Sequence, residues 1–164
     1  MKLKGSCHCG KVKFSVNSKH FYPYQLCYCS ICRKTQGGGG FAINLSADAT
    51  SLKITGKKYI SGYRARVKNP GERSYLSSGE RNFCKVCSSG LWLFDPSWPE
   101  LIHPFASVID TPLPKTPVKT HLMLDFKASW VDLCKKSKDL SFKRYPKESI
   151  ADWHERVIEK KKGR

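Results

Sequence analysis

The sequence has no long hydrophobic run. No stretch approaches the roughly 18 apolar residues that a membrane-spanning helix needs, and residues 1–10 contain no apolar core of the kind that a signal peptide requires. We therefore expect an intracellular protein of a reducing compartment, most simply the cytoplasm, with the nucleus left open and with no membrane partner.

Acidic residues are also scarce. The chain has 13 Asp and Glu against 30 Lys and Arg, which gives a formal net charge of +17. Residues 1–83 carry 15 basic and 3 acidic residues and residues 134–164 carry 11 and 5, so the excess lies at both ends. No known nucleic-acid-binding motif accompanies it. The composition favours a solvated surface with weak, non-specific affinity for polyanions.

Two further patterns are missing. The glycine run at residues 37–40 lacks the surroundings of a Walker or dinucleotide-binding loop. It could bring backbone amides close to a ligand, but a flexible loop is the favoured interpretation.

With 164 residues the chain fits one domain of ordinary size.

Cysteines are plentiful, and seven of the eight are clustered. The clusters are C-x-C at Cys7 and Cys9, C-x-C-x2-C at residues 27–32, and C-x2-C at Cys84 and Cys87. Such steps let thiolates on one turn converge on a single ion, and zinc takes four of them tetrahedrally. The two outer pairs could close one cage, whereas the central trio would leave a coordination position for water or substrate.

Clustered cysteines also have other structural roles. They could be buried apolar residues, or disulfide partners in an oxidising compartment. Clustered cysteines in a reducing compartment more often bind metal. Iron could replace zinc, because four-sulfur sites suit either metal. The unclustered Cys134 is predicted to be a small buried side chain.

Alternation and turn residues predict a mainly β fold with a short helical tail. Strands are expected at residues 11–16, 24–27, 41–45, 52–55, 74–76, 90–94 and 102–108. Three prolines predict an extended connector at residues 112–117, before the segment 121–126. A helical turn is expected at residues 129–134. A charged helix is expected at residues 149–162, with Ile150, Trp153, Val157 and Ile158 on one stripe.

Three stretches resemble the signatures of a known family. GSCHCGKVKF at residues 5–14, CYCSICRK at residues 27–34 and NFCKVCSSGL at residues 82–91 are similar to those of the glutathione-dependent formaldehyde-activating enzyme family, which includes the centromere protein V domain. The resemblance runs in order through residues 3–133. It implies a zinc domain at residues 1–133 and leaves residues 134–164 as a basic, partly helical extension.

The resemblance implies a β-tent-like arrangement of zinc-bound sheets with two zinc sites. By position, Cys7, Cys9, Cys84 and Cys87 match the structural zinc site. Cys27, Cys29 and Cys32 match the second site, whose occupancy is left open and at which the family is described as joining formaldehyde to glutathione. The implied activity is that of a carbon–sulfur lyase acting on S-hydroxymethylglutathione or a related thiol adduct.

Basic residues beside the trio are candidate substrate contacts. A zinc ion held by three thiolates could accept the sulfur of glutathione and hold it deprotonated. Arg33, Lys34 and Arg81 could then attract the carboxylates of the tripeptide. Solvated surface residues are the simpler interpretation of these cations.

Several residues depart from the family pattern or have no assigned role. Tyr28 stands where histidine is common, and Lys85, Ser88 and Ser89 replace a glycine-containing sequence. These changes affect the expected substrate pocket more than the metal sites. We expect His8 and His121 to belong to neither metal site, because seven thiols fill the expected ligand count. The four tryptophans are expected to pack in the core in preference to lining a cleft.

Two functional hypotheses follow. The first is a zinc-dependent carbon–sulfur lyase that acts on glutathione or a related thiol adduct. The second is a zinc-stabilised module that binds chromatin, microtubules or another polyanion, as the centromere protein V resemblance and the net charge of +17 permit.

Overall fold

The computed structural model describes residues 1–36, 38–68, 71 and 73–159. Its strands are β1 (Lys2–Ser6), β2 (Lys13–Asn17), β3 (Gln25–Cys27), β4 (Ala42–Ile43), β5 (Ala47–Asp48), β6 (Lys53–Thr55), β7 (Ile60–Val67), β8 (Tyr75–Cys84), β9 (Gly90–Phe94), β10 (Leu101–Pro104), β11 (Thr120–Leu122) and β12 (Leu140–Ser141). Its helices are α1 (Ser30–Gln36) and α2 (Ile150–His154), and a π-helical turn at Glu155–Glu159 follows α2. Short 3-10 turns lie at Ala49–Ser51, Lys57–Tyr59, Ala106–Val108 and Leu124–Phe126. The mainly β fold with a small C-terminal helix is as predicted.

The chain divides into two compact units. Unit 1 comprises residues 1–19 and 46–111, and unit 2 comprises residues 20–45 and 112–164. Each unit is assembled from segments that are far apart in the sequence. Within the described residues, no helix has both the length and the apolar character that crossing a membrane requires.

Unit 1 contains two antiparallel sheets. One has the strand order β1-β2-β6, and the other has the order β5-β10-β9-β8-β7. Alternate residues of β1 and β2 are buried, among them Leu3, Phe14 and Val16. The Phe14 ring meets Trp92 edge-on with centroids 5.2 Å apart. The period of two therefore places one face of this hairpin in the core and leaves the lysines of the other face exposed.

Unit 2 contains a mixed sheet of order β12-β11-β3-β4. Strand β11 runs parallel to both β3 and β12, while β4 is antiparallel to β3. One hydrophobic cluster of this unit joins Tyr24, Trp153 and Val157, and another joins Leu26, Tyr28 and Val131. The short strand β3 thus lies between β11 and β4 and ends at Cys27, the first cysteine of the central trio.

Several predicted boundaries were wrong. The strand predicted at residues 74–76 is only the start of β8, which continues to Cys84. The strand predicted at 102–108 ends at Pro104, because a 3-10 turn at Ala106–Val108 follows shortly after it. Strands β1 and β7 and helix α1 were not predicted. The irregular connector at residues 112–117 was predicted correctly.

The C-terminal predictions were partly correct. In the segment 129–134, only residues 129–130 form a turn, and the rest is irregular. The Lys127 ammonium donates to the carbonyl oxygens of Ala128 and Val131, which would accept backbone N–H groups in a helix. Ser149 caps α2 through a reciprocal capping box with Asp152. Residues 160–162 of the predicted helix lie outside the described residues.

Candidate metal centres

Four thiols of unit 1 converge at one point, and we call them the four-thiol cluster. The sulfur atoms of Cys7, Cys9, Cys84 and Cys87 all lie within 4.8 Å of one another. The Cys7 and Cys9 sulfurs are 3.5 Å apart, and those of Cys9 and Cys84 are 3.8 Å apart. Sulfur ligands about 2.3 Å from a tetrahedral zinc ion would be about 3.8 Å from one another. The Cys7–Cys9 and Cys9–Cys84 sulfur distances therefore agree with the spacing of a tetrahedral metal site.

The loop after β1 shapes the first half of this cluster. Gly10 adopts a left-handed conformation with φ +71°, and its N–H donates to the Cys7 carbonyl at 2.9 Å. This turn brings the Val12 N–H to the Cys7 sulfur at 3.2 Å. Backbone N–H donors favour the charged form of a sulfur ligand. The sequence C-H-C-G thus builds a loop that presents sulfur to a cation.

The loop after β8 shapes the second half in a similar way. Ser88 has φ +59° and its N–H donates to the Cys84 carbonyl at 2.7 Å. The Ser89 hydroxyl lies 3.3 Å from the Cys87 sulfur, and hydrogen bonds from Ser89 lower the pKa of Cys87 to about 5. The serines that depart from the family pattern therefore still form a tight turn and add a donor to the cluster.

Unit 2 holds the three-thiol cluster of Cys27, Cys29 and Cys32. Its sulfur atoms also lie within 4.8 Å of one another, and all three residues are buried. Cys27 ends β3, Cys29 lies in the following turn, and Cys32 lies in α1. The Cys32 N–H donates to the Cys29 sulfur at 3.3 Å. Six residues, from Cys27 to Cys32, thus form a strand-turn-helix segment that brings three sulfurs close together.

The thiols of this cluster differ in acidity. Hydrogen bonds from Cys27 and then Cys32 lower the pKa of Cys29 to about 2, whereas the same contacts raise the pKa of Cys27. One thiolate is therefore favoured, because the other two thiols donate to it. All three can ionise together only if a cation offsets their mutual repulsion.

Both donor sets fit zinc. Thiolates are the ligands of structural zinc sites, and soft sulfur sets select zinc or iron over magnesium and calcium. All eight cysteines are free thiols, so none of the clustered sulfurs is used in a disulfide. Both clusters could therefore hold a metal ion, one through four sulfurs and the other through three.

The predicted substrate contacts lie in two different units. Arg33 of unit 2 follows Cys32 in α1 and is half-buried, and its Nε has no hydrogen-bond partner among the described residues. Lys34 is exposed. Arg81 lies on β8 of unit 1, with one buried terminal nitrogen that is also unpartnered in the described part of the chain. Of these three basic residues, Arg33 therefore combines a position next to the three-thiol cluster in the sequence with a side-chain N–H that has no hydrogen-bond partner among the described residues.

Other predicted residues have structural positions. Cys134 is exposed, so the prediction that it is buried was wrong; it follows an irregular segment with no strand or helix to bury it. His8 is exposed and His121 is buried. Gly40 has φ +79°, and a side chain there would collide with Val131, so this glycine of the run has a packing role. Gly37 lies outside the described residues.

The tryptophans divide evenly between core and surface. Trp92 and Trp153 are buried, in agreement with core packing, whereas Trp98 and Trp130 are 53% and 66% exposed. Packing therefore explains two of the four.

Sequence reasoning missed one polar contact beside the three-thiol cluster. The Tyr28 hydroxyl lies 2.9 Å from Nδ1 of the buried His121, and the carboxylate of Asp139 faces the opposite ring nitrogen at 3.9 Å. Burial lowers the pKa of His121, so the imidazole is neutral at pH 7. The only sequence signal was Tyr28 itself, a polar aromatic residue between two thiols.

Comparisons with known proteins identify relatives of this chain. A family model described as glutathione-dependent formaldehyde-activating enzyme matches residues 2–124. A curated Halomonas elongata protein, provisionally named a glutathione-dependent formaldehyde-activating enzyme, is 54% identical over 157 residues, which are 96% of this chain and 97% of that protein.

A solved structure has a similar fold. The crystal structure of a Rhodobacter sphaeroides protein aligns with a TM-score of 0.51 and 24% identity, over 70% of this chain and 92% of that one. The family match covers three quarters of the chain and includes all seven clustered thiols. The chain belongs to the glutathione-dependent formaldehyde-activating enzyme family.

Proposed function

We propose that this protein is a zinc-dependent carbon–sulfur lyase-like enzyme that acts on S-hydroxymethylglutathione or an adduct of a related thiol. The observation that carries the proposal is the division of seven thiols into a set of four and a buried set of three. A full set of four protein ligands is typical of structural zinc, whereas three protein ligands leave a position for substrate. The family match and the name of the Halomonas relative support glutathione as the thiol.

In this proposal the two clusters have different tasks. The four-thiol cluster ties the loop after β1 to the end of β8 within unit 1, which stabilises the fold. Cys27, Cys29 and Cys32 would hold the second ion. Zinc bound there supplies a positive centre that favours the thiolate form of an incoming thiol.

The chain's own groups then orient the substrate. A thiolate attacks the carbonyl carbon of formaldehyde, and the carbonyl oxygen gains a proton; in the lyase direction the carbon–sulfur bond breaks and the hydroxyl proton is lost. We assign Arg33 to a carboxylate of glutathione, because its guanidinium follows Cys32 directly and has an unpartnered Nε. Lys34 is exposed and contributes a weaker, screened attraction.

The experiment is exchange spectroscopy of formaldehyde and glutathione by nuclear magnetic resonance. The two compounds combine without an enzyme, so the quantity measured is acceleration over that background at several protein concentrations. We expect acceleration by the zinc-loaded protein and none by Cys32→Ala. Cys134→Ala is the matched control, because Cys134 is exposed and belongs to neither cluster.

Two results would contradict the proposal. One is exchange that the wild-type protein leaves at the background rate. The other is equal acceleration by wild type and Cys32→Ala. For the positioning of glutathione, Arg33→Ala should raise KM for glutathione and leave zinc content unchanged; an unchanged KM removes Arg33 from that role.

A second candidate function is supported by one surface of unit 1. Lys2, Lys4, Lys13 and Lys53 lie on the exposed face of the sheet β1-β2-β6, and we call them the basic face. They line a cavity of about 520 Å³ with one acid, Asp110, among its described lining residues. Such a face could bind the phosphates or carboxylates of chromatin, microtubules or another polyanion.

Retention on immobilised DNA and on tubulin at physiological salt tests this candidate. We expect Lys4→Glu combined with Lys53→Glu to elute at lower salt than the wild type, because charge reversal removes cations from one face. Lys34→Glu serves as a control from outside the basic face. Elution of the wild type below physiological salt would exclude the candidate.

A further inference from the structure

Three buried polar residues lie beside the three-thiol cluster, and one of them separates Cys27 from Cys29 in the sequence. We call Tyr28, His121 and Asp139 the Tyr28 chain. We infer that the Tyr28 chain positions the backbone between Cys27 and Cys29 and thereby sets the affinity of the three-thiol cluster for its metal. The inference rests on the proposed function, because it supposes that the cluster binds a metal ion.

The first link of the chain is short and buried. Tyr28 is 2% exposed and His121 is 1% exposed. The Tyr28 hydroxyl lies 2.9 Å from the His121 Nδ1, and the two rings stack with centroids 5.7 Å apart and an interplanar angle of 21°. A phenol and an imidazole that are both removed from water need each other as partners, so this hydrogen bond holds the Tyr28 side chain in one position.

The backbone of Tyr28 is held by the same strand. The Tyr28 N–H donates to the Leu122 carbonyl at 3.0 Å, and β11 also pairs in parallel with β3, opposite Cys27. Strand β11 therefore contacts Tyr28 through both its amide and its hydroxyl. A residue fixed at two points cannot slide relative to β11, and its two neighbours in sequence are ligands of the cluster.

Asp139 anchors the far end of the chain. It is 5% exposed, and its two carboxylate oxygens accept the N–H groups of Lys119 at 2.8 Å and Lys136 at 2.9 Å. Its Oδ2 lies 3.9 Å from Nε2 of His121, on the opposite side of the ring from Tyr28. An Nδ1 that accepts from the Tyr28 hydroxyl places the ring proton on Nε2, which has no hydrogen-bond partner among the described residues. At 3.9 Å the Asp139 carboxylate is an electrostatic neighbour of Nε2 and not a hydrogen-bond acceptor.

Hydrophobic residues could fill the space that Tyr28, His121 and Asp139 occupy. Burying a phenol, an imidazole and a carboxylate requires each to be satisfied, and hydrophobic residues of similar volume are often at least as stable. Such polar groups behind metal ligands orient those ligands, and replacing them typically lowers metal affinity about 10–100-fold. We therefore assign Tyr28 and His121 as positioning residues.

The test compares metal affinity at the two clusters of one protein. Cobalt(II) reports thiolate coordination through its charge-transfer and ligand-field absorption, and chelator competition gives an affinity for each cluster. We expect Tyr28→Phe to weaken the three-thiol cluster about 10-fold and to leave the four-thiol cluster unchanged. His121→Leu should have the same effect. His121→Asn, which keeps a polar group near the position of Nδ1, should recover part of the affinity.

Tyr145→Phe is the matched control in the same unit, because Tyr145 is 69% exposed. It should change neither affinity. If Tyr28→Phe fails to fold, the ratio of the two affinities in His121→Asn and His121→Leu decides the question in its place.

The outcomes separate this inference from the proposed function. If the wild type binds cobalt at both clusters and the affinity ratio is unchanged in the variants, the Tyr28 chain has no positioning role, while the proposed function stands. A parallel loss at both clusters shows general destabilisation and also overturns the inference. If the wild type binds no metal at the three-thiol cluster, the proposed function fails, and the inference fails with it.

Discussion

Replacement of Trp153 by alanine tests whether the C-terminal segment supports the strand that carries the three-thiol cluster. Trp153 is fully buried, and its ring stacks on Tyr24 with centroids 3.7 Å apart and an interplanar angle of 11°. Val157 completes the cluster. Tyr24 directly precedes β3, so the packing of α2 bears on the start of the segment that leads to Cys27.

The expected loss of stability combines three effects. Removing a buried tryptophan side chain costs about 3–5 kcal/mol, and the lost stacking adds about 0.5–1.5 kcal/mol. In the opposite direction, the Trp153 Nε1 is buried with no hydrogen-bond partner among the described residues, so its removal recovers about 1–3 kcal/mol. We expect Trp153→Ala to lower the free energy of unfolding of unit 2 by about 3 kcal/mol.

Urea titration followed by hydrogen exchange of amides in β3 and β11 measures this loss in unit 2. Trp130→Ala is the matched control: Trp130 is 66% exposed, and its replacement should change stability by less than about 0.5 kcal/mol. A loss below about 1 kcal/mol for Trp153→Ala, or equal losses for the two variants, would refute the packing argument.

The domain boundary at residue 133 stays a prediction, and deletion of residues 134–164 tests it with the same probes.

Three smaller predictions concern single positions. Gly56→Ala should destabilise unit 1 by about 2 kcal/mol or more in urea titration, because Gly56 has φ +83° and an added Cβ would collide with the Lys11 carbonyl; an unchanged midpoint contradicts this. Ser149→Ala should cost about 1 kcal/mol in unit 2, since the hydroxyl caps α2, and Ser149→Gly should cost less. Burial lowers the pKa of His121 even though the Asp139 carboxylate lies nearby. The unfolded state therefore binds a proton on His121 more readily than the folded state does. The free energy of unfolding should fall as the pH drops below about 6.5. Thermal unfolding between pH 7.5 and 5.5 should show a smaller acid loss in His121→Asn than in wild type, and equal losses would contradict the assignment.

The thiol clusters could be predicted from sequence because their spacing is local. Each outer cysteine pair lies on one tight turn, namely Cys7 with Cys9 and Cys84 with Cys87. Counting the clustered thiols therefore predicts one site with four sulfur ligands and another with three. The meeting of the two outer pairs spans 75 residues, from Cys9 to Cys84; ligand counting allowed this pairing, and the resemblance assigned it to the structural site. The strand at Gly90–Phe94 was also predicted to the residue, because an apolar run bounded by glycine and aspartate has few alternatives.

Long-range pairing limited the remaining predictions. Strand β7 was missed because only half of the residues in its sequence ISGYRARV are hydrophobic, and the strand is stabilised by antiparallel pairing with β8. Helix α1 has seven residues, too few to show a helical period. The Tyr28–His121 hydrogen bond joins residues 93 positions apart through a parallel ladder. Neither residue type nor spacing could show this contact, so Tyr28 was interpreted as a change in the substrate pocket.

Anomalous diffraction at the zinc absorption edge tests the central claim most directly. The account predicts two peaks per chain, one about 2.3 Å from the sulfurs of the four-thiol cluster and the other at the same distance from those of Cys27, Cys29 and Cys32. A single peak at the four-thiol cluster, with the three remaining thiols bound to no metal, would contradict it.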